Sequence, residues 1–330
     1  QALDAIADGS AQLVVGTHAL FQEGVAFDRL ALVVIDEQHR FGVHQRMALR
    51  DKGVGAQGHP HQLVMTATPI PRTLAMAAYA DLDTSVIDEL PPGRRPVTTI
   101  AVPATRRDEI IGRVREAVAD GQQAYWVCPL IEESEVLDYE AAEKSYEMLT
   151  DALPELRVGL IHGRMRQVEN DKGMQAFKEG LIQVLVATTV IEVGVDVPNA
   201  SLMIIENAER MGLSQLHQLR GRVGRGAAQS HCVLLYRGPL GRIARERLAV
   251  LRNTNDGFVV AQRDLELRGP GELLGTRQTG LPDYRVADLV RDADLMPQVQ
   301  ITAGEIARSP ARAAAIVRRW LGDAGRYGKV

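Results

Sequence analysis

Two adjacent carboxylates, Asp36 and Glu37, directly follow the apolar run Leu32–Ile35. If that run is a buried parallel strand, both carboxylates lie at the carboxyl edge of a sheet, where open α/β folds bind ligands. At that edge Asp36 can hold Mg²⁺ on a nucleotide, and Glu37 can orient or deprotonate an attacking water. Two acids after an apolar run also occur in ordinary solvated turns, so this pattern alone leaves both interpretations open.

Two threonines, Thr66 and Thr68, end the next strand predicted along the chain. If the two strands are neighbours, the hydroxyls lie beside the carboxylates, can bond to them and can report the nucleotide state to the other half of the molecule. Both threonines are also common strand residues, and the following Pro69 suits the start of a helix. Taken alone, the threonines favour the structural interpretation.

A third group begins where another apolar run ends at Thr188. Gly194 follows, and a glycine lets a phosphate or a backbone approach closely. Two residues later Asp196 can accept a hydrogen bond from a ribose hydroxyl. This group is therefore a candidate for nucleotide binding.

Residues 215–226 contain Gln218, Arg222 and Arg225, with Gly221, Gly224 and Gly226 next to the arginines. Arginines three residues apart share one face of a helical turn, and the glycines clear space around them. Guanidinium groups held in this way suit the charge that develops on a transferring phosphoryl group, the role called an arginine finger. The alternative is a basic helix face that only binds a phosphate backbone.

The elements that must position these residues are predicted to be alternating strands and helices. Short β-branched runs alternate with segments of helical period, which is typical of βαβ units that build a parallel sheet. Strands are predicted at 13–17, 31–37, 62–68, 97–103, 123–130, 158–162, 183–188, 202–207 and 232–236. Residues 89–96 hold three prolines and a glycine and are predicted to be a linker. Beyond the last strand we predict a helix over 242–253, an ordered loop over 267–283 and a helix over 303–321.

Composition and charge narrow the class of protein. A length of 330 residues predicts about two domains, and 45% hydrophobic residues exclude a wholly disordered chain. The net charge of −4 excludes an overall polybasic nucleic-acid clamp, although residues 210–252 contain nine arginines and one acid. Cys128 and Cys232 lie in apolar runs without metal-type spacing and are interpreted as reduced core thiols. The apolar runs are too short to span a bilayer, so we expect no membrane association and a cytoplasmic location.

The order of the motifs resembles that of superfamily 2 helicases. The groups at Asp36, at Thr66, from Thr188 to Asp196 and from Gln218 to Arg225 match motifs II, III, V and VI, and Gly16 and Thr17 match motif Ib. Segments 36–43, 66–73, 86–94 and 264–278 are similar to the RecG family of branched-DNA translocases. The transcription-repair coupling factor Mfd is the nearest alternative, but residues 38–39 and the linker are more similar to RecG. The resemblance covers essentially the whole chain.

The resemblance implies an α/β fold of RecA-like parallel-sheet helicase lobes with a C-terminal helical hairpin and loop. Residues 1–88 would be the C-terminal part of a truncated lobe 1, 89–96 the linker, 97–237 the complete lobe 2, and 238–330 the translocation hairpin, loop and C-terminal helices. Catalysis is expected from Asp36, Glu37, Arg222 and Arg225, ATP binding from Gln218, Gly194 and Asp196, and Mg²⁺ binding from Asp36. DNA binding and coupling are expected from Gly16, Thr17, Thr66, Thr68, Thr188, Arg247, Arg268 and Gln278.

The activity implied by the resemblance is ATP-driven translocation on double-stranded DNA, which remodels stalled forks and Holliday junctions in repair and recombination. Branched DNA is the expected partner, a single-stranded DNA-binding protein is a further candidate, and nucleoid association follows. The phosphate-binding string Gly-x-x-x-x-Gly-Lys-Ser/Thr does not occur in the 330 residues. We therefore expect a C-terminal fragment that is inactive alone. The alternatives are an isolated DNA- or partner-binding module and a coupling-factor motor.

Overall fold

The computed structural model describes most of the chain. The chain forms two compact units. The described residues are 2–37, 52, 59–66, 83–91, 94–129, 135–188, 197–226, 228–268 and 291–321. One unit comprises residues 1–83 and 268–330, and the other comprises residues 84–267. Within the described ranges, no helix combines the length and the apolar character needed to cross a membrane.

Helices and strands alternate along most of the described chain. In chain order they are α1 (Ala2–Ala7), β1 (Leu32–Ile35), β2 (His61–Val64), β3 (Thr98–Pro103), α2 (Arg107–Ala119), β4 (Gln123–Val127), α3 (Glu135–Ala152), β5 (Val158–Ile161), α4 (Gln167–Lys178), β6 (Val184–Ala187), β7 (Ala200–Ile205), α5 (Leu213–Arg220), β8 (His231–Tyr236), α6 (Arg242–Asn253), α7 (Gly257–Arg268), α8 (Met296–Ala307) and α9 (Pro310–Leu321).

In the first unit, β1 and β2 form a parallel pair. Leu32 is paired with His61 and Ile35 with Val64. The side chains of Val33 and Ile35 are buried, and those of Phe21, Phe27 and Leu30 pack against them. This pairing meets the condition on which the threonine hypothesis depends, that the two strands are neighbours, and it sets the residues that follow them at one edge.

The strand predicted at residues 13–17 is wrong. Leu13 and Val15 are more than four-fifths exposed, so pairing there would bury no apolar surface. The hydroxyl of Thr17 instead accepts a hydrogen bond from the backbone N–H of Ala19 at 3.5 Å and caps a short 3₁₀ turn, His18–Phe21. A β-branched residue that suggested a strand thus serves as a local cap.

The second unit is built on a six-stranded, wholly parallel sheet with the order β3-β8-β7-β4-β6-β5. All residues of β4, β6 and β7 are buried. Unbroken apolar runs of this kind are what a parallel sheet covered on both faces requires. The predicted α/β fold with a parallel sheet is confirmed.

The core of this unit lies on both faces of the sheet, as two neighbouring residues of β4 illustrate. The ring of Tyr125 packs on Phe177 with 4.8 Å between ring centroids. The next residue, Trp126, points to the opposite face and donates its indole N–H to Glu206 at 2.7 Å. Arg107 donates to the other oxygen of Glu206 at 2.8 Å, so the buried carboxylate is paired as well as hydrogen-bonded.

The C-terminal helices depart from the prediction. Residues 303–321 do not form one helix, because α8 ends at Ala307 and α9 begins at Pro310. Proline cannot donate to the preceding turn and disfavours helical backbone at the residue before it, so the break falls at Ser309. The helix predicted over 242–253 is confirmed as α6. The loop predicted from residue 267 starts later, since α7 continues to Arg268, and its residues 269–283 lie outside the described ranges.

Candidate functional site

The candidate site of the second unit lies at the C-terminal end of α5 and in the turn that follows it. Leu213, Leu216 and Leu219 are fully buried and fix α5 on the core. Gln218 and Arg222 are half-buried, and Arg225 is exposed. Residues Gly221–Gly226, called the arginine loop here, therefore present the predicted arginines from a helix that is itself anchored.

Glycines set the path of the arginine loop. Gly224 has a φ of +78°, which favours glycine, and a Cβ at this position would lie 2.9 Å from Cγ2 of Val97. A Cβ on Gly226 would clash with the carbonyl of Pro198. Because neither glycine has room for a side chain, the loop backbone is held against both neighbours.

Arg225 is positioned by its own loop. Its Nε donates to the carbonyl oxygen of Gly221 at 3.3 Å, while its side chain is open to solvent. An exposed guanidinium presents a planar fork of N–H donors that suits an anion. The exposure of Arg225 is compatible with the arginine-finger interpretation, which stays a prediction.

A residue that the motif analysis missed, Arg220, ties α5 to the end of α6; α6 and α7 lie in the segment predicted to form the translocation hairpin and are called the hairpin here. Its guanidinium is buried and donates to the carbonyls of Leu251 at 2.9 Å and Thr254 at 2.7 Å. A second nitrogen lies 2.9 Å from Nδ1 of His217. These carbonyls end α6, where the helix dipole favours a cation. In the sequence, Arg220 follows Leu216 by four residues and so shares the buried face of α5; this spacing was the signal that could have predicted a buried arginine.

Two further polar contacts hold the hairpin to the same region. Arg247 of α6 is half-buried and donates to the carbonyls of Met211 at 2.6 Å and Glu209 at 2.9 Å. Ser214 of α5 donates to the buried carboxylate of Asp264 in α7 at 3.1 Å. Both hairpin helices are therefore attached to α5 or to the residues just before it.

Burial lowers the pKa of His217 to about 4, and the neighbouring positive charges of Arg220 and Arg94 add to the effect. Asp256 acts in the opposite direction but is outweighed. The imidazole is therefore neutral at pH 7 and can accept a hydrogen bond from Arg220.

In the first unit, the structure places the predicted carboxylates directly after β1. The carboxylate of Asp36 accepts a hydrogen bond from the backbone N–H of Glu37 at 2.8 Å. Glu37 has a φ of +52°, an uncommon conformation for a residue with a side chain. The pairing ends at Ile35 and Val64, Met65 donates its backbone N–H to the carbonyl of Ile35 at 2.8 Å, and Thr66 comes next. Asp36, Glu37 and Thr66 therefore share one edge of the β1–β2 pair, as predicted.

The donor chemistry of Asp36 and Glu37 fits Mg²⁺, which prefers carboxylate oxygens, usually takes one or two of them, and completes its shell with phosphate and water. Within the described ranges, no group of three or more His, Cys, Asp or Glu side chains could hold a metal ion. Two adjacent carboxylates can supply the one or two protein ligands of an ion that binds together with a nucleotide.

The remaining predicted residues fall into two groups. Thr188 is fully buried after β6, and Gly16 lies so close to Leu20 that an added Cβ would be 2.9 Å from its Cγ. Outside the described residues lie Thr68, Gly194, Asp196, Gln278 and the side chain of Arg268.

Both cysteines are free and buried, as predicted. Burial raises the pKa of the Cys128 thiol to about 12, and the charge of Glu206 contributes. Burial raises the pKa of Cys232 to about 12 as well. Neither thiol is a nucleophile at neutral pH.

Comparison with known proteins identifies two family models within the chain. Residues 108–227 match the helicase conserved C-terminal domain, and residues 254–315 match the C-terminal part of domain 3 of the ATP-dependent DNA helicase RecG. The first match spans most of the parallel sheet and the arginine loop. The second covers α7, α8 and part of α9.

Full-length sequences agree with these matches. The chain is 66% identical over 326 residues to the ATP-dependent DNA helicase RecG of Escherichia coli K12, covering 98% of this chain and 47% of that protein. It is 52% identical over 300 residues to RecG of Thermotoga maritima, covering 91% of this chain and 38% of that protein. The chain thus spans about half the length of the curated relatives it matches.

A solved structure agrees in fold. A structure of RecG bound to a three-way DNA junction matches with a TM-score of 0.64 and 49% sequence identity. The match covers 86% of this chain and 36% of that one.

Proposed function

The chain belongs to the RecG family of DNA helicases, and from this membership we propose that it supplies the second motor lobe and translocation hairpin of a helicase that hydrolyses ATP and moves on branched double-stranded DNA. Stalled forks and Holliday junctions are the proposed substrates. A single-stranded DNA-binding protein is a proposed partner, and nucleoid association would follow from DNA binding.

The observation that supports this proposal most directly is the arginine loop. Arg225 is exposed but tethered at Gly221, and Arg222 is half-buried beside it. Phosphoryl transfer is catalysed by positioning and charge stabilisation, so fixed guanidinium groups aimed at the γ-phosphate would supply most of what the second lobe contributes. Gln218, Gly194 and Asp196 are proposed to contact the nucleotide beside them.

The carboxylates of the first unit would complete this chemistry. Mg²⁺ bound with ATP supplies charge neutralisation at the phosphates. Asp36 would hold that ion, and Glu37 would orient or deprotonate the attacking water. Thr66, which follows β2 at the edge where Asp36 and Glu37 follow β1, and Thr68 would respond to the state of these carboxylates.

Coupling to DNA is proposed for a further set of residues. Thr188 is fully buried, which favours a structural link over direct contact with DNA. Gly16 and Thr17 belong to the candidate motif Ib. Arg247 attaches the hairpin to the residues before α5, Arg268 ends α7, and Gln278 lies in the sequence that follows. These residues would convert nucleotide-driven movement of α5 into movement of the hairpin and loop. Within the superfamily, the match of residues 254–315 to a RecG domain favours this family over the coupling factor.

Replacing Arg225 in a full-length form of the protein tests the proposal. Arg225→Ala should lower DNA-stimulated ATP hydrolysis by a factor on the order of 10³, because an arginine finger typically contributes that much to the rate. Junction affinity should stay close to that of the unsubstituted protein. Arg237→Ala is the matched control, since Arg237 is an exposed arginine just beyond β8.

The competing interpretation predicts a different pattern for the same variant. If the arginine loop is only a basic surface for the phosphate backbone, Arg225→Ala weakens junction binding and leaves the turnover of bound protein unchanged. That result would refute the finger assignment.

A further inference from the structure

The end of the predicted linker lies against the arginine loop. Residues Arg94–Thr98, called the linker exit here, lead directly into β3. Arg94 is half-buried, and its Nη2 donates to the carbonyl oxygen of Gly221 at 3.0 Å. Its neighbour Arg95 is exposed. Two adjacent arginines in the linker therefore differ sharply in their environment.

Packing and hydrogen bonds add to this contact. The methyl Cγ2 of Val97 and the carbonyl of Arg95 border Gly224, at 2.9 Å and 3.5 Å from the position of an added Cβ. On the far side of the loop, the amide of Gln229 donates to the carbonyl of Pro96 and to the hydroxyl of Thr98, both at 3.2 Å. The linker exit thus contacts the arginine loop at Gly221 and Gly224. It also contacts Gln229, which follows the loop.

The carbonyl of Gly221 is the central point of this arrangement. It accepts from Arg94 at 3.0 Å and from Arg225 at 3.3 Å, and a carbonyl oxygen has two lone pairs for two donors. This carbonyl also stands at the C-terminal end of α5, where orphan carbonyls carry partial negative charge. Arg94 consequently donates to the same carbonyl oxygen, that of Gly221, to which the Nε of Arg225 donates.

We propose that Arg94 is a positioning residue for the arginine loop: by holding the Gly221 carbonyl, it fixes where Arg222 and Arg225 stand relative to α5. The proposal rests on the proposed function, because that function is what gives the positions of Arg222 and Arg225 a part in ATP hydrolysis. It extends that function, because it assigns the linker a part in placing the arginines besides joining two lobes.

Hydrogen exchange in the 330-residue chain tests the positioning directly, without nucleotide. The backbone N–H groups of Arg222 and Val223 bond to the carbonyls of Leu219 and Arg220, at 3.0 and 3.3 Å, and report on the loop. Arg94→Ala should accelerate their exchange by about tenfold, since a charged donor to the loop is lost. Arg94→Lys should restore part of the protection, and Arg95→Ala should match the unsubstituted chain.

The kinetics of ATP hydrolysis in a full-length form test whether the position of the arginine loop affects the rate. Arg94→Ala should lower kcat for ATP hydrolysis by about one order of magnitude through misplaced arginines, with the KM for ATP and junction affinity near those of Arg95→Ala. Arg94→Lys should recover part of the rate.

The other outcomes separate the possible errors. Equal exchange in Arg94→Ala and Arg95→Ala would overturn the positioning role, as would faster exchange with unchanged kcat. Faster exchange throughout the sheet with a lower melting temperature would indicate a general structural role and also overturn it. If the unsubstituted full-length form hydrolysed no ATP, the proposed function would fail, whereas the exchange result would still decide whether Arg94 holds the loop.

Discussion

Arginines of this chain differ widely in what they contact, although their side chains are chemically alike. Arg220 is buried with three polar partners, two of which are backbone carbonyls, whereas Arg225 is exposed and tethered at one nitrogen. Burying a guanidinium costs several kcal/mol unless its donors are satisfied. The carbonyls at the end of α6 offset that cost, so Arg220 has a structural role, whereas the exposed Arg225 is accessible to a ligand.

His217, the third partner of Arg220, makes the stability of the second unit depend on pH. Its pKa is about 4 in the folded chain, below the ordinary value of 6.5. Between these values the unfolded chain binds more protons, so stability is complete above pH 6.5 and falls as the pH drops towards 4. From pH 7 to pH 5 the expected loss from this histidine is about 2 kcal/mol.

Urea unfolding at pH 7 and pH 5 in a Trp320→Phe background measures this loss, because the fluorescence of the buried Trp126 then reports on the second unit alone. His217→Asn keeps an acceptor for Arg220 but cannot titrate, so its stability should vary less with pH. An equal pH dependence in the variant and the unsubstituted chain would assign the effect to other groups.

These residues mark how far the sequence alone could predict the site. Arg222 and Arg225 are recognisable because their glycine spacing is specific and local. Arg220 is not, because the carbonyls it binds lie 31 and 34 residues away and belong to no side chain. Arg94 is hidden in the same way, since its acceptor is the backbone of Gly221. Contacts to backbone leave little pattern in a sequence.

At the scale of elements, burial decided which predictions held. The fully buried strands β4, β6 and β7 were recognisable from continuous apolar runs. Residues 13–17 have a similar composition but no buried face, which composition cannot reveal. The break at Ser309 followed from local backbone chemistry, yet it was missed because alanine and arginine on both sides are strong helix formers.

Attachment of the hairpin predicts a separation of ATP hydrolysis from movement. In a full-length form, Arg247→Ala removes the bonds to Glu209 and Met211 and should leave DNA-stimulated hydrolysis at a sizeable fraction of normal while junction unwinding is lost. The exposed Arg245 supplies the control, Arg245→Ala, which should retain both activities.

Thermal melting of the same preparations completes that test. If melting temperature, hydrolysis and unwinding all decline together in Arg247→Ala, the arginine only stabilises the fold and transmits nothing.

For the whole molecule, the sequence predicts that the 330-residue chain does not turn over ATP by itself. Its residues include no Gly-x-x-x-x-Gly-Lys-Ser/Thr string, whose backbone N–H groups and lysine bind the phosphates in this superfamily. We expect hydrolysis at background level with and without junction DNA. A form that includes such a loop should be active under the same conditions. Measurable, DNA-stimulated turnover by the pure 330-residue chain would contradict this account of the phosphate site.

The strand order of the second unit also bears on how the chain folds as it is synthesised. β3 is made first but lies at the sheet edge and pairs with β8, which is made last; Thr98 is partnered with His231. While the ribosome adds the residues between them, β7 has only β4 beside it, and β3 has no strand to join. Closing so long a loop is slow, and unpaired edges attract other chains. We therefore expect the edges of β3 and β7 to stay unpaired until residue 236 has left the exit tunnel, and the arginine loop, which leads into β8, to reach its final position only then.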